Sequence, residues 1–213
     1  MSDPRTELAA AGARLAALGL SPGSSGNLSV RIDDRMLITP TGADLAEVDP
    51  DGLSVLGLDG THLDGPRPSK EFPLHRAFYR RDAATRAVVH LHARNATAVS
   101  CLPPWSARSA LPPLTPYFVM RVGQTPLVPY APPGDADQAE VLARLPFPLR
   151  AALLQNHGPV LAGATMARAV DAAVELEEVS ALLLALGERS PRLLTPEEAG
   201  TLARKYDSPW GES

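Results

Sequence analysis

Ala87-Val88-Val89-His90-Leu91-His92 is an apolar run broken only by its two histidines. Its length and its Val-Val pair predict a buried strand. Side chains alternate along a strand, so residues two apart share a face. The imidazoles of His90 and His92 are therefore expected to point the same way from a rigid backbone, a good way to present two nitrogen ligands to one metal ion. A third candidate, His157, lies in Gln155-Asn156-His157-Gly158, and a carboxylate, Glu71, lies in Ser69-Lys70-Glu71. Three histidines and a glutamate suit a divalent metal of the zinc type, with room left for substrate.

Outward from this strand, the patterns alternate between helix and strand. Leu8, Ala11, Leu15 and Leu18 lie on one stripe of a predicted helix over 4–19. The segment 27–32 alternates as a strand, Asp33-Asp34 turns the chain, and 35–39 returns as a hairpin. A further strand is predicted over 53–58, and a helix over 70–81 after Pro68-Ser69. After the histidine strand come a short helix near 94–101 and a proline-rich stretch over 103–134, read as ordered short strands and loops. A helix over 135–145, paired strands over 151–155 and 159–162, and a long helix over 165–187 follow. Thr195-Pro196-Glu197-Glu198 opens a last helix with a capping box and Pro at its first position. Strands in the middle with helices before, between and after predict an α/β domain with a mostly antiparallel central sheet.

A chain of 213 residues is long enough for a single domain over 1–213 with a sizeable core. Apolar residues make up 45% and charged residues 21%, the balance of a soluble globular protein. A net charge of -4 and a pI near 5.7 argue against a nucleic-acid or anionic-membrane partner. The single cysteine, Cys101, excludes an intramolecular disulfide and fits a reducing compartment. It follows an apolar stretch and is expected to be a small core residue. Early charges at Asp3, Arg5, Glu7 and Arg14 break any signal-like apolar segment, and no run is long enough to span a membrane, so a cytoplasmic location is expected.

Each candidate has a plainer reading beside it. A lone histidine is usually a hydrogen-bonded core residue, but a His-x-His strand with a third His in a glycine turn favours ligation. Glu71 could be a helix-start acid stabilised by the macrodipole. The functional reading makes it a general acid/base that also ligates the metal when no substrate is bound. His75, four residues on and on the same helix face, favours a structural role. His62 sits in a polar loop and is expected to be solvated. Gly26-Asn27, Thr41-Gly42 and Ser69-Lys70 offer backbone N–H groups beside an amide, a hydroxyl or an ammonium, a combination that can converge on a phosphate. No Walker or dinucleotide fingerprint is present, and no context supports a nucleophilic serine.

Taken in order, Ser24-Ser25-Gly26-Asn27-Leu28-Ser29, Thr39-Pro40-Thr41-Gly42, Ser69-Lys70-Glu71, His90-Leu91-His92 and Asn156-His157-Gly158 resemble the class II aldolase/adducin family over almost the whole chain. The resemblance implies a three-layer α/β/α sandwich and a homotetramer with active sites between subunits. It implies zinc held by His90, His92 and His157, and a catalytic carboxylate at Glu71 that can also touch the zinc. It implies a phosphate clamp at Gly26, Asn27, Thr41, Gly42, Ser69 and Lys70. Within the family, segments such as Pro73-Leu74-His75-Arg76-Ala77 and Leu111-Pro112-Pro113-Leu114-Thr115-Pro116-Tyr117 resemble a branch that decarboxylates a 3-oxo-tetronate 4-phosphate. The epimerising branch carries an aspartate where this chain reads Leu114-Thr115-Pro116-Tyr117, which disfavours epimerisation. Tyr117 resembles the proton-donor tyrosine of the aldolases that cleave ketose 1-phosphates, so aldol cleavage is the alternative. By its apolar surroundings, Tyr117 could equally be a core residue. Adducin-like interaction modules lack the metal histidines, which this chain keeps.

Overall fold

A computed structural model describes residues 3–211; residues 1, 2, 212 and 213 of the expected domain lie outside the described residues. Eight strands form one sheet: β1 (Asn27–Ile32), β2 (Arg35–Ile38), β3 (Ser54–Gly57), β4 (His62–Asp64), β5 (Ala87–His90), β6 (Leu127–Val128), β7 (Ala151–Leu154) and β8 (Gly158–Gly163). Their spatial order is β4-β3-β2-β1-β5-β8-β7-β6. Every neighbouring pair is antiparallel except β6 and β7. That pair is parallel because a helix, α4 (Ala136–Arg144), carries the chain back to the same end of the sheet.

Strand alternation divides the apolar residues between two cores. Leu28, Leu37, Val89 and Leu161 face the layer of α1 (Pro4–Ala17), α3 (Arg94–Ser100) and α5 (Met166–Leu186), packing with Leu8, Leu15, Val99 and Leu176. Met36, Ile38, Val88 and Val160 face the other layer, α2 (Phe72–Arg81) and α4, packing with Leu74, Phe78 and Leu142. The result is the three-layer α/β/α sandwich with a mostly antiparallel sheet. A last helix, α6 (Pro196–Tyr206), starts with the capping box read from Thr195 and Glu198.

Polar anchors hold the helices at their ends. Arg81, closing α2, donates to the carbonyls of Leu142, Ala143, Leu145 and Phe147 and so ties down the end of α4. Glu177, buried on α5, accepts from the backbone N–H groups of Asn95 and Ala96 and from the Asn95 amide at 2.8–2.9 Å. The two backbone N–H groups are among the unpaired donors that every helix start leaves, here at α3. Glu177→Ala strands them, and we expect unfolding free energy to fall by about 2–3 kcal/mol in urea titrations. A loss below about 0.5 kcal/mol, the scatter of neutral surface changes, would mean α3 is anchored elsewhere.

Several elements differ from the reading of the sequence. The first helix ends at Ala17, and Leu18 is 52% exposed rather than part of the buried stripe. The helix expected from residue 70 begins at Phe72, with Lys70 and Glu71 on its approach. His62 is exposed as expected, but it opens a short edge strand rather than sitting in a loop. Phe118–Val122, within the stretch expected to be strands and loops, winds into a single π-helical turn. Cys101 is exposed, not a core residue: it caps the end of α3 after the buried Val99 and Ser100. Among the described residues no helix is long and apolar enough to cross a membrane.

Candidate active site

The antiparallel registers bring the start of β1, the ends of β2 and β5 and the β7–β8 turn to one end of the sheet. Asn27 stands opposite His90, and Leu154 pairs with Gly158 across the turn that carries His157. β5 stops at His90, not at His92 as its sequence suggests, because β1 supplies no partner beyond Asn27. The Leu91 N–H still bonds the Pro159 carbonyl, so the chain stays beside β8 while His92 swings toward the turn. Two glycines permit this crowding. A Cβ on Gly158 would run into the Leu91 carbonyl oxygen, and one on Gly26 (φ +83°) would lie 2.8 Å from the His90 carbonyl oxygen.

His90, His92 and His157 meet there, with potential ligand atoms all within 4.8 Å of one another. Nε2 of His92 lies 3.2 Å from Nε2 of His157. The Glu71 carboxylate closes the group, with Oε2 3.3 Å from His90 Nε2 and Oε1 3.3 Å from His157 Nε2. The residues fit a divalent cation on three counts. Donors about 2.0–2.1 Å from a shared tetrahedral ion stand roughly 3.3–3.4 Å apart, close to the spacing seen. His90 Nδ1 donates to the Pro159 carbonyl at 2.9 Å, which leaves Nε2 as a bare lone pair aimed into the cluster. That Nε2 is buried without a hydrogen-bond partner among the described residues, so a cation is the ligand its lone pair lacks.

Electrostatics point the same way. Burial works to raise Glu71, but hydrogen bonds from His157 and Asn27 and the nearby His90 outweigh it, holding the carboxyl well below its usual range. Burial drives His90 down to about 4, and burial with His157 nearby lowers His92. At neutral pH this keeps His90 and His92 as neutral imidazoles beside a carboxylate, the protonation state that cation binding requires. Burial also pushes His75 down to about 3, from an ordinary 6.5.

For a base with a depressed folded pKa, stability is full above the unfolded value and is lost as pH falls. Between about pH 6.5 and 4 the unfolded chain binds protons that the fold refuses. Each such histidine then costs up to about 1.4 kcal/mol per pH unit. Metal-stripped protein should therefore lose unfolding free energy steeply across this window. His75→Phe should flatten the slope; an identical slope would remove His75 from the account.

All six clamp candidates line one cleft of about 570 Å³ together with Glu71, His92 and His157. Gly26, Asn27, Thr41, Gly42, Ser69 and Lys70 thus surround the same space as the histidines, with His90 fully buried beneath it. The Thr41 and Ser69 loops are stitched side by side: Thr41 N–H donates to the Arg67 carbonyl and Ser69 N–H to the Thr39 carbonyl. Those two backbone donors, expected to face a phosphate, are already engaged, so Thr41 and Ser69 can offer only their hydroxyls. The Asn27 amide donates one N–H to Glu71 Oε2 at 2.8 Å, which leaves its second N–H for the cleft. Tyr117 is neither in this cleft nor in the core. It is 55% exposed, with the Arg121 guanidinium 4.8 Å over its ring. Tyr130 and Asn156 line the cleft but are not among the candidates read from the sequence; Asn156 sits within the quoted motif Asn156-His157-Gly158, whereas no quoted motif contains Tyr130.

This cluster of histidines and glutamate at one end of a three-layer sandwich defines a class. The chain matches the class II aldolase and adducin N-terminal domain over residues 6–184, and it belongs to that family. It is 44% identical, over 93% of its own length and 92% of the relative's, to a 3-oxo-tetronate 4-phosphate decarboxylase of Pectobacterium atrosepticum. An L-fuculose phosphate aldolase of Escherichia coli is more distant, 34% identical over 89% of this chain and 87% of that one. The crystal structure of YgbL from Klebsiella pneumoniae, described as an aldolase, epimerase or decarboxylase, superposes with a TM-score of 0.89 at 44% identity, covering 93% of this chain and 97% of that one. Family and donor set together indicate a divalent metal.

Proposed function

We propose that this protein decarboxylates a 3-oxo-tetronate 4-phosphate to dihydroxyacetone phosphate and CO2. Relatives of both names break carbon–carbon bonds, and this chain is a lyase of that kind. One observation carries the finer reading. His92, His157, a carboxylate and six clamp candidates line a single cleft with His90 grouped beside them beneath it, in a chain 44% identical over 93% of its length to a decarboxylase of that substrate.

The chemistry needs a place for electrons. The C1–C2 bond breaks, CO2 leaves, and the electron pair spreads from C2 onto the C3 ketone oxygen as an enediolate. Protonation at C2 then gives dihydroxyacetone phosphate, with one proton consumed per CO2 released. The bound ion, zinc in this proposal, supplies Lewis-acid stabilisation of the charge developing on the ketone oxygen. His90, His92 and His157 hold the ion. Glu71 would be a further donor to such an ion when no substrate is bound, and it moves the proton toward C2. The clamp residues hold the phosphate, with Lys70 supplying positive charge, and so fix C2 beside Glu71. The proposed unit is a single domain over 1–213, assembled as a homotetramer with sites between subunits and working in the cytoplasm. Tyr117, which lies off the cleft of its own chain, would reach a site only across a subunit interface of that assembly.

Aldol cleavage is the second reading, favoured by the fuculose phosphate aldolase relative and by Tyr117. Parallel assays with 3-oxo-tetronate 4-phosphate and fuculose 1-phosphate separate the two. We expect CO2 and dihydroxyacetone phosphate in equal amounts from the first, and little aldehyde from the second. Aldehyde from the second with no CO2 from the first would overturn the decarboxylase reading.

A further inference from the structure

We infer that Ser29, His75 and Tyr79 form a buried positioning relay that fixes the side-chain amide of Asn27 against Glu71. The inference rests on the reading of Glu71 as the proton-carrying carboxylate and deepens it. Asn27 and Ser29 are two residues apart on β1, on the face that looks at α2; His75 and Tyr79 are four apart on α2, one turn above each other. The contacts form one line. Tyr79 Oη lies 2.7 Å from Ser29 Oγ, Ser29 Oγ 2.7 Å from His75 Nδ1, His75 Nε2 2.5 Å from Asn27 Oδ1, and Asn27 Nδ2 2.8 Å from Glu71 Oε2. All five residues are buried, and His75 and Ser29 are at 0% exposure.

The chemistry of the groups sets the direction of every proton. A carboxylate only accepts, so Asn27 must turn its N–H group to Glu71; the reverse orientation would set two acceptors face to face. The Asn27 oxygen then needs a donor, which must be His75 Nε2–H. Burial keeps His75 neutral, so its Nδ1 carries no proton and accepts from the Ser29 hydroxyl. Ser29 has given its one proton, so Tyr79 donates to Ser29. A reversal at any point would strand a donor or an acceptor inside the core, at the full cost of a buried unpaired polar group. The relay therefore has one arrangement. It binds Glu71 Oε2 to the scaffold and leaves Oε1 as the oxygen nearer His157.

Two kinds of measurement test this. In 15N-histidine NMR of metal-free protein, the resonance absent from His75→Gln should be that of a neutral Nε2–H tautomer. An Nδ1–H tautomer, or an imidazolium, at neutral pH overturns the relay. In the metal-loaded enzyme, His75→Phe keeps the ring volume and removes both hydrogen bonds. We expect metal content unchanged, KM within about twofold and kcat lower by about 10–100-fold, the cost of a misplaced catalytic group. His75→Gln, which restores an N–H toward Asn27, should recover most of kcat. The relay is overturned if the Phe variant keeps wild-type kcat, if it loses metal and kcat in parallel, or if Gln is no better than Phe. Should the Phe variant fail to fold, Ser29→Ala replaces it: kcat should fall at unchanged metal content, and an unchanged kcat overturns the relay. If the wild-type protein turns over no 3-oxo acid, the proposed function fails, and the tautomer measurement still decides the relay.

Discussion

Replacing His92 with alanine should abolish metal binding and turnover together. His92 is the ligand least supported by its surroundings: it lies past the end of β5, half-buried, with its Nε2 3.2 Å from His157 Nε2. Truncation leaves His90 and His157, with Glu71 as a third donor only while it is not carrying the proton, so no set of three protein donors remains for a site that also binds and turns over substrate. Loss of a supporting hydrogen bond alone costs 10–100-fold in metal affinity in comparable sites, so loss of a ligand should exceed about 100-fold. Elemental analysis after dialysis, read beside activity, checks this. A variant that keeps stoichiometric metal would remove His92 from the site. Because His92 is not part of either core, the variant should still fold, and its thermal transition should match that of metal-stripped wild type.

Glu71→Gln has the opposite signature: metal stays and turnover goes. Glutamine has the same shape, its oxygen can still accept from Asn27, and three imidazoles remain to hold the ion. What it lacks is a carboxylate that can take and return a proton. General acid/base groups contribute about 10²–10⁴-fold, so kcat should fall in that range with KM little changed. Undiminished kcat would take Glu71 out of the chemistry, whereas metal loss would make it an essential ligand.

The components of the site were legible because each is a local pattern. His90-Leu91-His92, the glycine turn around His157 and Ser69-Lys70-Glu71 all stand out within a few residues. So were both faces of the sheet, since period-2 alternation in β1, β2 and β5 already separates Leu28 and Val89 from Met36 and Val88. What failed depended on partners distant in sequence. The end of β5 is set by where β1 begins, far earlier in the chain. The engaged N–H groups of Thr41 and Ser69 depend on two loops pairing with each other, with about 25–30 residues between them along the chain. The relay was half visible: the spacing of His75 and Tyr79 marks a helix face, and that of Asn27 and Ser29 a strand face, but nothing local says that the two faces meet.

The most direct test of the account is a metal titration. Metal-stripped protein receives graded zinc, and metal content and dihydroxyacetone phosphate release from 3-oxo-tetronate 4-phosphate are read on the same samples. The account predicts product and CO2 in equal amounts, rising in proportion to bound metal and levelling at one ion per chain. Full turnover in samples that hold no metal, or zinc-loaded samples that release no CO2, would contradict it.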